Sequence, residues 1–340
     1  MEVDTKILRP DQLEFAAYLL LKGECVAFPT ETVYGLGANA MDAQAVAKIF
    51  KAKQRPADNP LIVHIYDLAQ VSDLVIDYNH EADKLMEEFW PGPLSLILPR
   101  SPSVPKIVTA DLDSIAIRMP DHKLALDLLK MVDLPIAAPS ANISGRPSPT
   151  RAEHVFQDLK GRIPAILDGG ATGWGVESTV VDCTCWPFRI LRPGGITFEQ
   201  LLKILPVELD PGIYQETKTQ SASPGMKYRH YSPKAAVVLV VGDNISKKIN
   251  QMAQKPEYSN LRLGVMAVSE SRDYYRNFTV LDLGPRNDQR TIASRLYHLL
   301  RSADDMDLDV VFVEGFSEVE MGMAIMNRLR KAAGYKIVYS

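Results

Sequence analysis

The chain has 340 residues, of which 46% are hydrophobic and 24% charged, enough for about two domains with substantial cores. No apolar run approaches the roughly twenty residues that cross a bilayer, so the composition excludes membrane-spanning, collagen-like and disordered classes, and no membrane partner is expected. Residues 1–4 lack the basic and apolar regions of a secretory signal, so we expect a cytoplasmic protein.

Charge and cysteine content limit the kinds of ligand and metal site that the protein can have. Residues 1–208 carry 20 Lys and Arg against 27 Asp and Glu, so we expect no long-range steering of RNA and no stable binding of nucleic acid. A small anionic ligand held at one spot is compatible with this balance. Cys25, Cys183 and Cys185 are too few for a disulfide framework or a four-thiolate zinc site.

The first 208 residues mix helical and strand periodicity, which predicts an α/β domain with a mixed sheet. Asp42 is the expected N-cap of the second helix. The predicted helices cover 10–22, 42–53, 80–89, 124–130 and 198–205. The predicted strands cover 25–29, 61–66, 94–99, 114–119, 136–139, 165–168 and 179–182.

The segment around 208–233 is rich in Pro, Gly, Ser and Thr and marks a linker. We therefore divide the chain into a domain at 1–208, a linker at 209–233 and a domain at 234–340. In the last part, apolar runs at 235–241, 263–268, 279–283 and 310–314 alternate with helices at 246–254, 291–301 and 321–333. This alternation predicts a small, mostly parallel α/β sheet, and no Gly-x-Gly-x-x-Gly cofactor signature accompanies it.

Four segments of the first domain place hydroxyl, basic and glycine residues near strand ends, where open sheets usually bind ligands. Segment 29–37 offers two threonine hydroxyls, a phenol and two glycines that would let backbone approach a ligand. Lys53 and Arg55 stand where Pro56 must end a helix, so we expect their side chains to project toward phosphate oxygens. His64, taken alone, is more typical of a satisfied core histidine.

The other two segments leave alternatives open. Arg118 shares a strand face with Ser114 and Ala116, and its charge needs either an internal carboxylate or the carboxylate of a ligand. Segment 137–150 is dense in Ser, Asn and Gly, which suits either anion binding or an ordinary connection. No Ser-His-Asp or His-Glu-x-x-His pattern is present, so the residues indicate an α/β pocket for a phosphorylated ligand and a carboxylate.

These segments together resemble the threonylcarbamoyl-AMP synthase family in its longer, two-domain YwlC-like form. The motifs are Pro-Thr-Glu-Thr-Val-Tyr-Gly-Leu-Gly from 29, Lys-x-Arg-Pro from 53, Pro-Ser-Ala-Asn-x-Ser-Gly from 139, Glu-Ser-Thr-Val from 177 and Ser-Pro-Gly-Met-Lys-Tyr-Arg-His-Tyr-Ser-Pro from 223. The resemblance implies a YrdC-like domain with a mixed twisted sheet and a concave basic surface, followed by a smaller Rossmann-like domain.

The resemblance implies an ATP-dependent condensation of L-threonine with bicarbonate, giving threonylcarbamoyl-AMP and pyrophosphate for the N6-threonylcarbamoyladenosine modification of tRNA. Lys53 and Arg55 would be catalytic, and Mg2+ would be held mainly by the nucleotide rather than by protein ligands. Threonine would contact Thr32, His64, Arg118 and Ser178. ATP would contact Lys53, Arg55, Asn59, Ser114, Ala138, Ser140, Asn142, Ser148, Arg192, Arg229 and Tyr231.

The resemblance also implies partners that transfer the threonylcarbamoyl group to tRNA. Segment 223–233 is predicted to close over the pocket as a lid. Glu31 and Glu177 are candidates for a general base, and the alternative for both is a structural carboxylate paired with a nearby cation. Two rival functions are an RNA-binding module and a carbamoyltransferase of hydrogenase maturation, whose zinc-finger cysteines this chain lacks.

Overall fold

The computed structural model describes residues 3–214 and 231–340. These residues fall into two compact units, the first containing 3–144 and 148–214 and the second containing 145–147 and 231–340. No described helix is long and apolar enough to span a bilayer. The linker and the domain boundaries stay predictions, because 215–230 lie outside the described residues.

The first unit is built on one mixed sheet, as the sequence predicted. Within the described residues its order is β1-β8-β2-β3-β7-β4-β6-β5-β9-β10-β11, with parallel and antiparallel neighbours. The strands are β1 (Lys6–Leu8), β2 (Val26–Phe28), β3 (Gly35–Asn39), β4 (Ile62–His64), β5 (Leu94–Pro99), β6 (Ser114–Arg118), β7 (Ile136–Ala137), β8 (Ala165–Leu167), β9 (Thr179–Asp182), β10 (Phe188–Arg192) and β11 (Val207–Leu209).

Helices cover this sheet and bury its apolar faces. They are α1 (Leu13–Leu21), α2 (Ala43–Lys53), α3 (Val71–Leu74), α4 (Glu81–Phe89), α5 (Lys106–Thr109), α6 (Lys123–Val132), α7 (Ala152–Leu159) and α8 (Phe198–Leu202). Along β2, Val26 and Phe28 pack in one core cluster and Ala27 in another, as the two-residue period of a strand requires. Asp42 caps α2 as predicted, since its carboxylate accepts hydrogen bonds from Gln44 N and Ala45 N.

The second unit has a five-stranded parallel sheet among its described residues, with the order β14-β13-β15-β12-β16. This confirms the α/β alternation read from the sequence, although the last strand was not predicted. The strands are β12 (Ala236–Val241), β13 (Leu263–Val268), β14 (Thr279–Gly284), β15 (Val310–Glu314) and β16 (Ile337–Tyr339). The helices are α9 (Ile245–Ala253), α10 (Gln289–Asp305) and α11 (Met321–Ala332).

One correction concerns the glycines of segment 29–37, which were expected to let backbone approach a ligand. Gly35 and Gly37 instead lie within β3. A Cβ at Gly37 would stand 2.7 Å from Phe28 Cε1 and 2.8 Å from Ile136 Cγ2. The glycine is needed because two core side chains pack against its Cα.

Candidate functional site

A row of polar side chains crosses neighbouring strands on one face of the first sheet. His64 ends β4 and lies directly opposite Arg118 at the end of β6. Ser95 follows on β5, the other neighbour of β6. Ser178 comes immediately before β9, and Arg192 ends β10. The sequence predicted four of these five residues, and the sheet order brings them together.

The same sheet face continues as an apolar patch. Side chains two residues apart on a strand share a face, so Ile62 lies beside His64 and Ala116 beside Arg118. The patch is a separate buried cluster made of Ile62, Ile97, Ala116, Val180 and Leu191. One half of the face therefore suits charged or hydroxyl groups of a ligand, and the other half suits apolar groups.

Arg118 is the cation at the centre of the row and is 4% exposed. Its Nη1 donates to Thr32 Oγ1 at 3.0 Å and its Nε donates to the Gly92 carbonyl at 3.2 Å. Its Nη2 lies 2.6 Å from Glu31 Oε1. The internal carboxylate that the sequence left as one alternative is therefore Glu31.

Several buried polar atoms around Arg118 have no hydrogen-bond partner among the residues that the structure describes. They are both carboxylate oxygens of Glu31, Arg118 Nη2, His64 Nδ1 and His122 Nδ1. The Arg118–Glu31 contact is short, but its geometry does not make a hydrogen bond. Buried polar groups in native proteins are normally satisfied, so such a group of unsatisfied atoms is the signature of a binding site.

His64 is buried, and its ring stands edge-on to Phe28 with 6.1 Å between centroids. Burial, together with the charge of Arg118, lowers the pKa of His64 to about 3. The imidazole is therefore neutral near pH 7. A neutral imidazole beside a guanidinium can accept or donate one hydrogen bond to a ligand hydroxyl without adding charge.

Ser178 is held by partners from two neighbouring strands. Its hydroxyl lies 2.8 Å from Ser95 Oγ and accepts a hydrogen bond from Arg192 Nη2 at 3.1 Å. Arg192 also donates to the Ser178 carbonyl at 3.0 Å. Next to it, Ser148 Oγ donates to Glu177 Oε1 at 2.5 Å. These contacts fix the hydroxyl that the sequence assigned to threonine.

Lys53 requires a correction. Its side chain was expected to project from the end of the helix toward phosphate oxygens, but Lys53 is the last residue of α2 and only 1% exposed. Its Nζ donates to the Ser140 carbonyl and, at 2.6 Å, to the Asn142 carbonyl. Burial lowers its pKa, and the nearby charge of Arg55 adds to that shift. Lys53 thus holds the 140–142 loop in place through two of its backbone carbonyls.

Arg55 and Asn59 lie close along the chain to Lys53, whereas Ser140 and Asn142 are brought to it by the fold. Arg55 Nη2 donates to the carbonyls of Asn59 and Pro60 at 3.2 and 3.0 Å. Asn142 Oδ1 accepts from Ser140 Oγ at 2.6 Å.

Ala138 belongs to the sheet edge beside this loop. It is 5% exposed and its backbone N–H donates to the Ile62 carbonyl at 2.9 Å, next to the apolar patch. Its backbone N–H is therefore committed to the sheet, and its methyl group packs in the core cluster that contains Phe28 and Ile136.

Three further residues were predicted to contact ATP, namely Ser114, Tyr231 and Arg229. Ser114 begins β6, about 13 Å along the strand from Arg118. Tyr231 is buried in the second unit, where its ring stacks on Tyr297 with 5.2 Å between centroids and lies under the Arg328 guanidinium. Arg229, and most of the predicted lid, lie outside the described residues.

Sequence reasoning missed Ser95, His122 and Asp158. Ser95 interrupts an apolar strand, which is a usable signal for a functional hydroxyl. His122 comes just after β6, at the start of α6, so its position past a strand end was also a signal. Asp158, whose charge acts on Lys53, lies on α7, a helix that was not predicted.

The described residues contain no group of three or more His, Cys, Asp or Glu side chains arranged to hold a metal ion. All three cysteines are unpaired thiols, and burial raises the pKa of Cys25 to about 12. A protonated thiol is a poor nucleophile and a poor metal ligand. The site is therefore built from hydroxyl, guanidinium, carboxylate and imidazole groups.

Comparison with known proteins identifies the family. The family model described as Telomere recombination matches residues 18–194, and the model described as Threonylcarbamoyl-AMP synthase, C-terminal domain, matches 196–334. The threonylcarbamoyl-AMP synthase of Pyrococcus abyssi is 47% identical over 330 residues, covering 96% of this chain and 95% of the relative. The chain belongs to the threonylcarbamoyl-AMP synthase family.

Further similarity extends across both units. The threonylcarbamoyl-AMP synthase of Bacillus subtilis is 49% identical, covering 96% of this chain and 94% of the relative. The crystal structure of Pyrococcus abyssi Sua5 complexed with L-threonine matches with a TM-score of 0.93 and 45% identity, covering 99% of each chain. The resemblance read from the sequence motifs is confirmed, and the chain is an ATP-using transferase that forms threonylcarbamoyl-AMP.

Proposed function

We propose that L-threonine binds at the polar row on the first sheet through His64, Arg118 and Ser178, together with Thr32 from the loop that contacts Arg118. The observation that carries this assignment is that four strand or loop segments bring these side chains to one buried face. A guanidinium suits the amino acid carboxylate, and a neutral imidazole or a serine hydroxyl suits the side-chain hydroxyl. The presence of L-threonine in the crystal of the Pyrococcus abyssi relative supports the same substrate.

ATP would lie against the 140–142 loop and the Ser148–Ser178 region. The residues that we propose as ATP ligands are Lys53, Arg55, Asn59, Ala138, Ser140, Asn142, Ser148 and Arg192, together with the predicted Ser114, Arg229 and Tyr231. The Lys53 ammonium is committed to two carbonyls of the loop. We therefore propose that Lys53 shapes the phosphate-binding loop, in addition to supplying charge near the phosphates.

The chemistry proceeds by positioning, without a covalent enzyme intermediate. The amine of threonine combines with bicarbonate to form a carbamate and water. A carbamate oxygen then attacks the α-phosphorus of ATP, a new P–O bond forms, and the bond to the β-phosphate breaks with release of pyrophosphate. Holding the two reactants in line is the main contribution that such a site makes to the rate.

Mg2+ is the cofactor that we expect to accompany ATP. The described residues offer no carboxylate cage for it, so the nucleotide phosphates are its proposed ligands. The proposed setting is the cytoplasm, where the adenylate passes to proteins that transfer threonylcarbamoyl to tRNA.

The test is pyrophosphate release from ATP and Mg2+ with threonine or bicarbonate omitted in turn. We expect release only when both are present. Release without either substrate would contradict the proposal, because it would mean that the site hydrolyses ATP or serves another nucleotidyl transfer. RNA binding with a steep salt dependence and no pyrophosphate release would instead favour an RNA-binding module.

A further inference from the structure

Glu31 carries a buried carboxylate that no residue described by the structure satisfies with a hydrogen bond. The residue is 7% exposed, and neither carboxylate oxygen accepts a hydrogen bond from any residue that the structure describes. Arg118 Nη2 lies 2.6 Å from Glu31 Oε1, in a geometry that makes no hydrogen bond. A buried ion pair without hydrogen bonds leaves much of the desolvation cost uncompensated.

The loop that carries Glu31 is nevertheless held firmly. The Glu31 carbonyl accepts a hydrogen bond from Trp174 N at 2.8 Å. Thr30 Oγ1 accepts from Thr32 N and from Val33 N, each at 3.2 Å, and donates to the Val33 carbonyl at 2.6 Å. The carboxylate is therefore placed by the backbone of a rigid turn, and its lack of partners is a built feature of the site.

The other buried glutamates of the described residues accept hydrogen bonds. Glu314 accepts hydrogen bonds from Val268 N, Ser271 Oγ, Tyr275 OH and Arg286 Nη2 at 2.7 to 3.2 Å. Glu177 accepts from Ser148 Oγ at 2.5 Å. Of the two glutamates that the sequence left as candidate bases, Glu31 is the one whose oxygens accept no hydrogen bond from the described residues.

We propose that Glu31 binds the ammonium group of threonine and acts as the general base that removes its proton. This inference rests on the proposed binding of threonine at Arg118. The zwitterion carries one negative and one positive group, and the Arg118–Glu31 pair presents one positive and one negative group 2.6 Å apart. Threonine thus exchanges one poorly aligned ion pair for two hydrogen-bonded ones.

Carbamate formation by this route balances in protons and in bonds. The threonine ammonium gives one proton to the Glu31 carboxylate, leaving a neutral amine and a carboxylic acid. The amine nitrogen attacks the carbon of bicarbonate, a C–N bond forms, a C–O bond breaks, and the second amine proton leaves with the hydroxide as water. The product is the carbamate whose oxygen attacks ATP.

Two titratable groups besides Arg118 lie near Glu31. His122, at the start of α6, is near enough for the charge of Glu31 to raise its pKa, against a larger lowering by burial. Its buried Nδ1 has no hydrogen-bond partner among the described residues. His64 lies opposite Arg118 on the neighbouring strand β4 and is neutral.

The test compares Glu31→Gln and Glu31→Asp with wild type, using kcat/KM for threonine in pyrophosphate release between pH 6 and 9. We expect a loss of at least about 100-fold in Glu31→Gln at pH 7. Only threonine that is already deprotonated in solution should react with this variant, so its rate should rise about tenfold per pH unit below the pKa of the threonine amine and level off above it. Wild type and Glu31→Asp should both lack this steep rise, with Glu31→Asp slower. Glu314→Gln removes another buried carboxylate, from the second unit, and should leave the profile unchanged.

The possible results distinguish a general base from a residue that only positions Arg118. Wild-type kcat/KM and pH profile in Glu31→Gln would overturn the inference. A raised KM for threonine with the pH profile of wild type would also overturn it, because Glu31 would then only position Arg118. If Glu31→Gln does not fold by circular dichroism, a steep pH profile in folded Glu31→Asp would overturn it. Absence of threonine-dependent pyrophosphate release in wild type would instead refute the proposed function.

Discussion

His64 lies directly opposite Arg118 on neighbouring parallel strands, and the pair carries only one positive charge. Burial and the adjacent guanidinium lower the pKa of His64 to about 3, below its ordinary value of 6.5. Protonation of the imidazole would place two cations side by side in a buried row. The neutrality of His64 is therefore a condition for the stability of the site.

This relationship predicts acid sensitivity. Between the ordinary pKa of 6.5 and the folded-state pKa of about 3, the unfolded chain binds a proton that the folded chain does not. Titration of His64 therefore does not change the free energy of unfolding above pH 6.5. At pH 5 it lowers the free energy of unfolding by about 2 kcal/mol. His64→Gln should lose correspondingly less stability than wild type between pH 7 and pH 5.

Urea unfolding followed by tryptophan fluorescence measures this effect in the first unit alone, because Trp90, Trp174 and Trp186 all lie there. His80→Gln is the matched control, since the His80 side chain is 75% exposed and should leave the pH dependence as in wild type. Equal pH dependence in wild type and His64→Gln would contradict the low pKa.

Lys53 should matter for both stability and turnover. Lys53→Ala leaves the Ser140 and Asn142 carbonyls without their ammonium donor, so we expect a loss of about 1–3 kcal/mol in the free energy of unfolding. Turnover should fall by orders of magnitude because the 140–142 loop loses its support. Lys51, exposed on the same last turn of α2, is the control, and Lys51→Ala should be close to wild type in both measurements. A fully active Lys53→Ala would refute the role.

Ser95 should support threonine binding through Ser178. Ser95→Ala removes the hydroxyl 2.8 Å from Ser178 Oγ and leaves Arg192 to hold that hydroxyl alone. A hydrogen bond of this kind contributes about 1 kcal/mol, so we expect the KM for threonine to rise about fivefold. The exposed Ser103 gives the control variant Ser103→Ala. An unchanged KM in Ser95→Ala would show that Ser178 needs no such support.

Gly37 should tolerate no side chain. Gly37→Ala brings a methyl group within 2.7 Å of Phe28 and 2.8 Å of Ile136, which we expect to cost about 1–3 kcal/mol of the free energy of unfolding. Phe28→Leu shortens one of the two colliding side chains. The double variant should therefore be less destabilised than the sum of the single variants, and strict additivity in urea unfolding would contradict the contact.

Local sequence patterns determined most of the regular structure and the identity of the family. The N-cap at Asp42, the apolar stripe of α2 and the two-residue alternation of β6 each depend on neighbours along the chain, so they could be read directly. The exceptions are informative. The β3 strand was missed because its glycines weaken the strand signal, and only the packing of Phe28 explains them.

The sequence predicted some features of the site, and only the tertiary structure revealed the others. The motifs named Thr32, His64, Arg118 and Ser178, but the strand order that brings them to one face depends on pairings between distant segments. Only the tertiary structure decided that Lys53 is buried and contacts the 140–142 loop, that Arg118 pairs with Glu31, and that the Glu31 oxygens accept no hydrogen bond from the described residues whereas Glu177 accepts one. The physical reason is that burial and hydrogen bonding are set by contacts far apart in sequence, whereas periodicity and capping are set within a few residues.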